Sequence, residues 1–407
     1  MRERFRGRMA AGLAVLVLVG GAAACGDDDD DDATPAETTD DGGDGSTELT
    51  IDDADIEAVA TTYADLVFAA YDDAVTGATD VQTAVGAFLD DPSDATLEAA
   101  KQAWLDARDL YGPTEVFRFY DGPIDNPDDG PEGQINAWPL DEAYIDYVDG
   151  DPSAGIVNDT AGFPEITADT LVAANEAGGE TNISTGWHAI EFLLWGQDLS
   201  DTGPGERPVT DYTTSPTAER RATYLRLVTD QLVTDMTGVR DAWSADDGDY
   251  RAEFLGDPDT AVSNMLRGMG ALSAGELGGE RVSVAYETKD QEDEHSCFSD
   301  NTTNDVLGNA SGIRMVYLAD YEGVDGTSLS DVVGEADPEL DQQLRDQLDA
   351  SVGMAEGLEP PFDQLILGED DAPGRTQLLE LIDALRAQGD TIAELATRLG
   401  YQISLEV

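Results

Sequence analysis

Apolar residues recur at helical spacing along almost the whole chain after residue 50. The first stripe consists of Ile56, Val59, Tyr63, Leu66, Val67 and Ala70. The later stripes are Leu97, Trp104, Ala107 and Tyr111; Leu225, Val228, Leu232, Val239 and Trp243; Val262, Leu266, Met269 and Leu272; Val306, Ala310, Ile313 and Tyr317; Leu340, Leu344, Leu348 and Val352; and Leu378, Ile382, Leu385, Ile392, Leu395 and Leu399. Such spacing places the side chains on one face of an α-helix. Because no sustained strand alternation interrupts the pattern, we predict an all-α fold of helical bundles.

Residues that favour helix starts precede several of these stripes. Ser93 or Asp94 can cap the second helix, and Asp257-Pro258 and Asp337-Pro338 each combine a capping residue with a first-turn proline. Segments rich in Pro, Gly and Asp interrupt the helical pattern at about 112–179, 197–216 and 246–258. The last interruption predicts a boundary between a first helical bundle at 49–250 and a second at 251–407.

Acidic residues dominate the charge. The chain has 87 acidic and 21 basic residues and a formal net charge of −66. Such a chain lacks the basic surface that nucleic-acid phosphates require, so we expect no nucleic-acid partner. Its self-repulsion is screened by concentrated salt, which predicts a halophilic or salt-tolerant source. An acidic exported protein without that adaptation is the alternative.

The N-terminus has the pattern of an export signal. Four arginines precede an apolar run at 9–24, which is too short for an ordinary membrane span. The run ends in Ala22-Ala23-Ala24-Cys25-Gly26, which is similar to a bacterial lipobox with Ala22 at the position where Leu is usual. We therefore predict a signal peptide at 1–25 and lipidation of Cys25. An ordinary signal peptide cut near the alanines is the alternative.

An acidic spacer follows the predicted anchor. Residues 26–48 are rich in Asp, Thr and Gly and have no apolar period, which predicts a disordered tether. Together these segments predict an exported, membrane-anchored lipoprotein that faces the periplasm or the cell exterior. Cys297 is the second of only two cysteines, so the sequence predicts no internal disulfide.

One of the two histidines lies in an aromatic, helix-like segment. His188 and Glu191 are three residues apart, follow Gly186-Trp187, and would share one face of a helix. Imidazole and carboxylate groups in this arrangement can bind one metal ion. A buried histidine hydrogen-bonded to a glutamate one turn away is the structural alternative. The spacing does not match the usual zinc-protease helices.

The other histidine lies in a polar cluster. Glu294, His295, Ser296, Cys297 and Asp300 offer carboxylate, imidazole, hydroxyl and thiol groups within a few residues. We predict that His295 and Asp300 complete a metal site with His188 and Glu191. In the alternative interpretation this is a polar loop with Asp300 as the N-cap of the next helix. Nucleophilic catalysis by Ser296 or Cys297 is not predicted, because sequence neighbours of a histidine do not form a catalytic triad.

Two further segments mix aromatic and charged residues. Trp138, Asp141 and Glu142 lie close together, and Asp141 could cap a short helix there. Arg118 stands among aromatic residues and is a candidate for a carboxylate partner. With Trp187, Glu294, Ser296 and Cys297, these residues are predicted to line a pocket, although the aromatic ones could equally be core.

These segments resemble the imelysin family, including its iron-regulated protein A type. The resemblance covers roughly residues 50–405 and rests on Gly186, His188 and Glu191 in the pattern Gly-x-His-x-x-Glu, on residues 137–142, and on residues 293–301. One departure is Thr303, where such relatives commonly have a histidine.

The resemblance implies two four-helix-bundle-like domains with the motif residues near a cleft between them, in an exported protein linked to iron uptake. We accordingly expect a metal ion or other small ligand in the cleft, with iron as the first candidate and zinc as the second, and iron-transport proteins as partners. A metal-dependent peptidase using His188 and Glu191 is one alternative function. A peptide- or partner-binding surface module that needs no metal is another.

Overall fold

The computed structural model of the chain describes residues 48–407. The predicted signal peptide, Cys25 and nearly all of the predicted tether lie outside the described residues. Within them the fold is all-α, as predicted, and the one β-type pairing is an isolated bridge between Val148 and Asp151. No helix of the described part is long and apolar enough to cross a membrane.

The helices span most of the described chain. In chain order they are α1 (Asp53–Asp90), α2 (Asp94–Tyr111), α3 (Glu132–Ile135), α4 (Glu142–Ile145), α5 (Gly155–Asn158), α6 (Ala168–Ala174), α7 (Gly186–Trp195), α8 (Thr210–Thr213), α9 (Ala218–Ala242), α10 (Asp249–Leu255), α11 (Pro258–Gly270), α12 (Ser283–Thr288), α13 (Thr302–Leu318), α14 (Leu329–Ala336), α15 (Pro338–Glu356), α16 (Asp363–Ile366) and α17 (Pro373–Arg398). Short 3-10 helices cover Gly112–Phe117 and Gln291–Asp293, and a π-helix covers Ala271–Arg281.

The predicted capping residues start their helices. Ser93 caps α2 in a reciprocal arrangement with Thr96, Asp257 accepts a hydrogen bond from the Thr260 amide, and Asp337 accepts from two amides of α15. These side chains satisfy backbone N–H groups that a helix start leaves without partners. The predicted apolar stripes are buried, except that Val352 and Leu399 are half-buried. Trp243 and Leu399 lie just beyond the ends of α9 and α17, and Leu272 lies in the π-helix.

The long helices pack as two groups. Helix α1 packs on α2 and α9, and α7 contacts α2 and α9. In the second half of the chain, α17 contacts α11, the π-helix and α15, and α15 also packs on α13. Helix α1 further contacts α11, and the buried side chains of both groups form one hydrophobic cluster. The described residues, 48–407, group into one compact unit.

The π-helix is a departure from the predicted pattern. The stripe that begins at Val262 was expected to continue as α-helix through Leu272, but the chain changes to π geometry at Ala271. Three glycines within the segment weaken its preference for regular α-helix. Segments of π-helix often occur at functional sites, and this one ends at the buried Arg281.

Candidate functional site

Helix α7 carries the histidine motif through the protein interior. Every residue of α7 is buried, including His188 and Glu191. The helix begins at Gly186, whose φ is +86°, and a Cβ there would lie 2.5 Å from the carbonyl oxygen of Ile135. Both the left-handed backbone and the close approach require glycine at this position. The glycine therefore sets the start of α7 and with it the position of His188.

Glu191 holds one side of the His188 ring. The Nδ1 atom of His188 lies 2.9 Å from Oε2 of Glu191. The other carboxylate oxygen of Glu191 accepts hydrogen bonds from the amide and hydroxyl of Ser299, at 2.9 and 2.7 Å. Ser299 precedes α13, so these contacts join α7 to a segment more than one hundred residues later in the chain. Glu191 thus orients His188 and is itself held in place.

The ring of His295 packs against the ring of His188. The ring centroids of His188 and His295 are 4.8 Å apart, with the rings inclined by 74°. Trp138 packs against both rings, at 4.8 Å from His188 and 6.4 Å from His295. The Nε2 atoms of both histidines are buried and lack a hydrogen-bond partner. The two histidines and Trp138 therefore form one pocket, which we call the histidine pocket.

Burial keeps both imidazoles uncharged. Burial lowers the pKa of His188 well below 6.5, and the charges of Arg108 and Arg281 lower it further. Burial and Arg281 likewise lower the pKa of His295. Burial raises the pKa of Glu191 to about 8, even though its hydrogen bonds from Ser299 act in the opposite direction. Neutral imidazole is the form that binds metal ions.

A buried ionic network lies near the histidine pocket. Arg108 donates to Asp305 at 2.7 and 3.0 Å and to the Asn136 amide oxygen at 2.7 Å. Arg281 pairs with the buried Glu115. Ser296, the neighbour of His295, donates its hydroxyl hydrogen to Asp305. The network links α2, α13 and the end of the π-helix to the polar segment that carries His295.

Sequence reasoning missed Arg108 and Asp305, the ion pair of this network. Arg108 lies between Ala107 and Tyr111 on the apolar face of α2, and Asp305 adjoins Val306 on α13. A charged residue on the buried face of a helix needs a partner, because an unpaired buried charge is costly. That placement was the signal that could have identified both residues.

Asp300 belongs to a different cluster. Its carboxylate lies with those of Asp198 and Asp363, and one oxygen from each is within 4.8 Å of the others. In the part of the chain that the structure describes, this is the one group of three such side chains close enough to share a metal ion, so the four predicted ligands do not form one. Asp300 is also not the N-cap of α13, which is Asn301.

The acidic cluster shifts the ionisation of its members. Burial raises the pKa of Asp300 to about 7, with the charges of Asp363 and Asp198 adding to the shift. Burial, together with nearby acidic groups, raises the pKa of Asp198 to about 6. Glu294 is fully buried, and burial and the neighbouring Asp363 and Asp300 raise its pKa to about 11. At neutral pH Glu294 therefore favours its protonated form, whereas Asp198 is mainly ionised and Asp300 is close to half ionised.

The other predicted pocket residues have structural partners. Arg118 pairs with Glu132 at 3.0 Å, with Glu276 at 3.5 Å and with Glu115 at 3.6 Å, so it has the expected carboxylate partners. Trp187 is buried in the core, where its ring packs on that of Trp104.

Asp141 and Glu142 have separate roles at α4. Asp141 is the predicted N-cap of α4 and accepts from the Ala143 amide at 3.0 Å. Glu142 is half-buried, and burial raises its pKa. Cys297 is buried, and burial raises the pKa of its thiol well above the ordinary value, which disfavours the thiolate that a nucleophile requires.

A large cleft reaches the site from the side of Ser299. Its volume is about 1310 Å³, and its lining includes Trp195, Gln197, Asp198, Arg207 and Ser299. Ser299 therefore touches the cleft while it holds Glu191. Ser299 is therefore the residue through which the cleft wall contacts the group that orients His188.

The sequence matches one protein family and a named relative over most of its length. The imelysin family model (peptidase M75) matches residues 67–392. The chain is 26% identical over 339 residues to iron-regulated protein A of Synechococcus elongatus, covering 80% of this chain and 82% of the relative.

Two solved structures share the fold. An iron-regulated protein A precursor from Parabacteroides distasonis aligns with a TM-score of 0.66 and 21% identity, covering 84% of this chain and 95% of the other. An imelysin-like protein from Psychrobacter arcticum aligns with a TM-score of 0.64 and 14% identity, covering 88% of this chain and 99% of the other. At these identities the likeness supports the fold alone.

Proposed function

This chain belongs to the imelysin family, and from that premise we propose that it binds a transition-metal ion, iron in the first place, through the Nε2 atoms of His188 and His295, as part of iron uptake outside the cytoplasm. The observation that carries the proposal is the pair of buried, unpartnered Nε2 atoms on rings whose centroids are 4.8 Å apart. A buried polar atom without a partner costs free energy, which a bound metal ion would recover.

Glu191 supports this assignment as an orienting residue. A carboxylate that accepts from Nδ1–H of a histidine fixes the tautomer that leaves Nε2 free for a metal, and raises the basicity of the ring. Glu191 is in position to do this for His188 when it is ionised, a form that the charge of a metal ion bound at His188 would favour against its raised pKa of about 8. On this proposal Glu191 supports the ligand His188 and does not bind the ion itself.

The choice of iron over zinc rests on the named relative and not on the ligand chemistry. Imidazole nitrogen binds iron and zinc alike, so the two histidines do not choose between them. The cyanobacterial relative is named iron-regulated protein A, which favours iron. Zinc remains the second candidate.

The contacts favour binding over peptide hydrolysis. A metallopeptidase needs a general base beside a metal-bound water. Glu191 is buried and already engaged by His188 and Ser299. Ser296 donates its hydroxyl to Asp305, and the Cys297 thiol is buried. A binding protein needs none of these groups as a catalyst.

We also place the protein at a membrane through a lipid on Cys25, outside the cytoplasm, where iron-transport proteins would be its partners. The support is the signal-like sequence before Cys25 and the acidic spacer after it. Labelled fatty acid should enter the wild-type chain expressed in a bacterial host but not the Cys25→Ser variant. Equal labelling of both chains would contradict the anchor.

Metal analysis of the protein in high salt tests the binding site. Chelator-treated wild type is loaded with Fe(II) under anaerobic conditions, or with Zn(II), and is expected to retain about one equivalent. His188→Gln and His295→Gln should each lose it. Asp300→Asn is the matched control, because Asp300 lies in the separate acidic cluster, and it should retain the ion. Wild type without stoichiometric metal would overturn the proposal and favour a peptide- or partner-binding cleft.

A further inference from the structure

We infer that the carboxylates of Asp198, Asp300 and Asp363 form a second, independent site for a hard divalent cation of the calcium class. The site uses oxygen ligands alone and shares no ligand with the histidine pocket. It does not depend on the proposed iron function.

The three carboxylates come from distant parts of the chain. Asp198 follows α7, Asp300 precedes α13, and Asp363 begins α16. One oxygen of each lies within 4.8 Å of the others. Asp198 and Asp363 are each only 2% exposed, whereas Asp300 is half-buried. Asp198 also lines the large cleft, which is the side from which a cation and its water ligands would reach the cluster.

A fourth acid points to a ligand at this position. Glu294 is fully buried, and the side chains within hydrogen-bonding reach of its carboxyl group are Asp363, itself an acid, and Thr302. The acids that act on the Glu294 carboxyl group are Asp363 and Asp300, so Glu294 lies beside the cluster. No N–H or hydroxyl group donates to either oxygen of Asp363, whose carboxyl neighbour Glu294 is itself an acid. Buried carboxylate oxygens without donors are costly, and a cation is the ligand that would satisfy several at once.

Distance and chemistry favour calcium over a transition metal. Calcium takes six to eight oxygen ligands at roughly 2.3–2.6 Å. Two oxygens on opposite sides of such an ion are therefore about 5 Å apart, so the observed limit of 4.8 Å lets all three carboxylates reach one ion without rearrangement. Carboxylate oxygens suit hard cations better than iron-group or zinc ions, which prefer imidazole or thiolate.

The surrounding contacts indicate what the cation would hold together. Gln291 donates to the carbonyl oxygen of Asp198 at 2.7 Å, and Gln364 donates to the carbonyl oxygen of Asp201. Asp300 adjoins Ser299, the residue that holds Glu191. A cation would thus clamp the segments after α7, before α13 and at α16, and would stabilise the wall of the large cleft beside the histidine pocket.

Calcium titration of the full chain tests the site. The chelator-treated protein is titrated with Ca²⁺ alone in 1 M KCl, which suppresses loose binding to the acidic surface. We expect one saturable site in wild type and a calcium-dependent rise in Tm. Asp363→Asn should weaken Ca²⁺ binding about tenfold or more, the least expected when a metal ligand is lost, and should remove the rise in Tm. Asp371→Asn, the same change at an exposed acid eight residues later, should behave as wild type.

A second readout separates loss of the site from loss of the fold. Removing one charge from a crowded acidic cluster should keep or raise the Tm in chelator, because less repulsion remains. Zn(II) loading of His188 and His295 should be unchanged in Asp363→Asn. Unchanged Ca²⁺ affinity in Asp363→Asn, or no saturable site in wild type, would overturn the inference. Failure of Zn(II) loading in wild type would instead count against the histidine site alone.

Discussion

His188 and Glu191 form a hydrogen-bonded pair across one turn of α7, with Nδ1 of the imidazole 2.9 Å from Oε2 of the carboxylate. The i, i+3 spacing brings the two side chains to the same face of the helix. The contact occupies one ring nitrogen and leaves Nε2 as the buried nitrogen without a partner. Under the proposed function, a motif that looks like two metal ligands is therefore one ligand, His188, and a residue that orients it, Glu191.

Replacement of Glu191 by Gln should weaken metal binding without abolishing it. The amide can still contact His188 but cannot supply the carboxylate charge that strengthens the imidazole as a ligand. We expect a loss of about 10- to 100-fold in affinity, measured by calorimetry with Zn(II). His188→Gln should lose binding altogether. Equal loss in both variants would indicate instead that Glu191 coordinates the ion.

The metal-free protein should lose stability in acid because its histidines resist protonation. Their folded-state pKa values lie well below 6.5, whereas in the unfolded chain histidine titrates near about 6.5. Below that pH the unfolded chain binds protons that the folded chain does not. The free energy of unfolding therefore falls as the pH drops below about 6.5, and the histidines cost no stability above that pH. Glu191, with its pKa raised to about 8, acts with the opposite sign, because its contribution falls as the pH rises from about 4.5 to 8.

The His295→Gln variant isolates the histidine contribution. Between pH 6 and 5, wild type should lose about 1.4 kcal/mol per pH unit more than the variant, the value for one proton. Urea unfolding in the presence of a chelator, repeated at several pH values, measures the free energy of unfolding of both proteins against pH. If the free energy of unfolding of the two proteins changed with pH in the same way, His295 would be taking up protons in the folded state.

Arg108→Met should destabilise the fold strongly. The Arg108–Asp305 pair is almost completely buried at 2.7 Å, and removal of one partner leaves an uncompensated charge at a cost of about 3–5 kcal/mol. Arg226→Met is the matched control, because the Arg226–Asp90 pair is exposed on both sides and should change stability by less than about 1 kcal/mol. Urea unfolding compares the two, and similar losses would contradict a structural role for the buried network.

Gly186→Ala and Gly86→Ala should have opposite effects. At Gly186 an alanine meets the Ile135 carbonyl and must adopt positive φ, a backbone cost of about 1–2 kcal/mol before the clash is counted. Because Gly186 starts the helix that carries His188, zinc affinity should also fall. Gly86 lies within α1 with nothing close to an added Cβ, so alanine there should stabilise by about 0.5–1 kcal/mol. A neutral Gly186→Ala would contradict the proposed constraint on α7.

The net charge should make stability depend on salt. With a formal charge of −66, repulsion opposes the compact state, and raising KCl from 0.1 to 1 M shortens the screening length from about 10 to 3 Å. We expect a clear rise in Tm over this range and a smaller one in sucrose, which does not screen charge. A Tm that does not change with salt would remove the physical basis for a halophilic origin.

The sequence alone determined the helices and the segments that would carry chemistry. Helical periodicity and capping are local properties, so the buried stripes and the caps at Ser93, Asp257 and Asp337 followed from residues only a few positions apart. The all-α prediction is confirmed for the same reason. The change to π geometry at Ala271 was missed, because it depends on packing against α17 as well as on local glycines.

Only the tertiary structure decided how the chemical groups combine. His188 and His295 are 107 positions apart, and no local pattern shows that their rings meet, that Ser299 holds Glu191, or that Asp300 joins Asp198 and Asp363. The partner of Arg108 could not be predicted either, since its charge is compensated by Asp305, a residue of another helix. A helix face can be predicted from its own residues, but a site assembled between helices depends on long-range packing that sequence spacing does not encode.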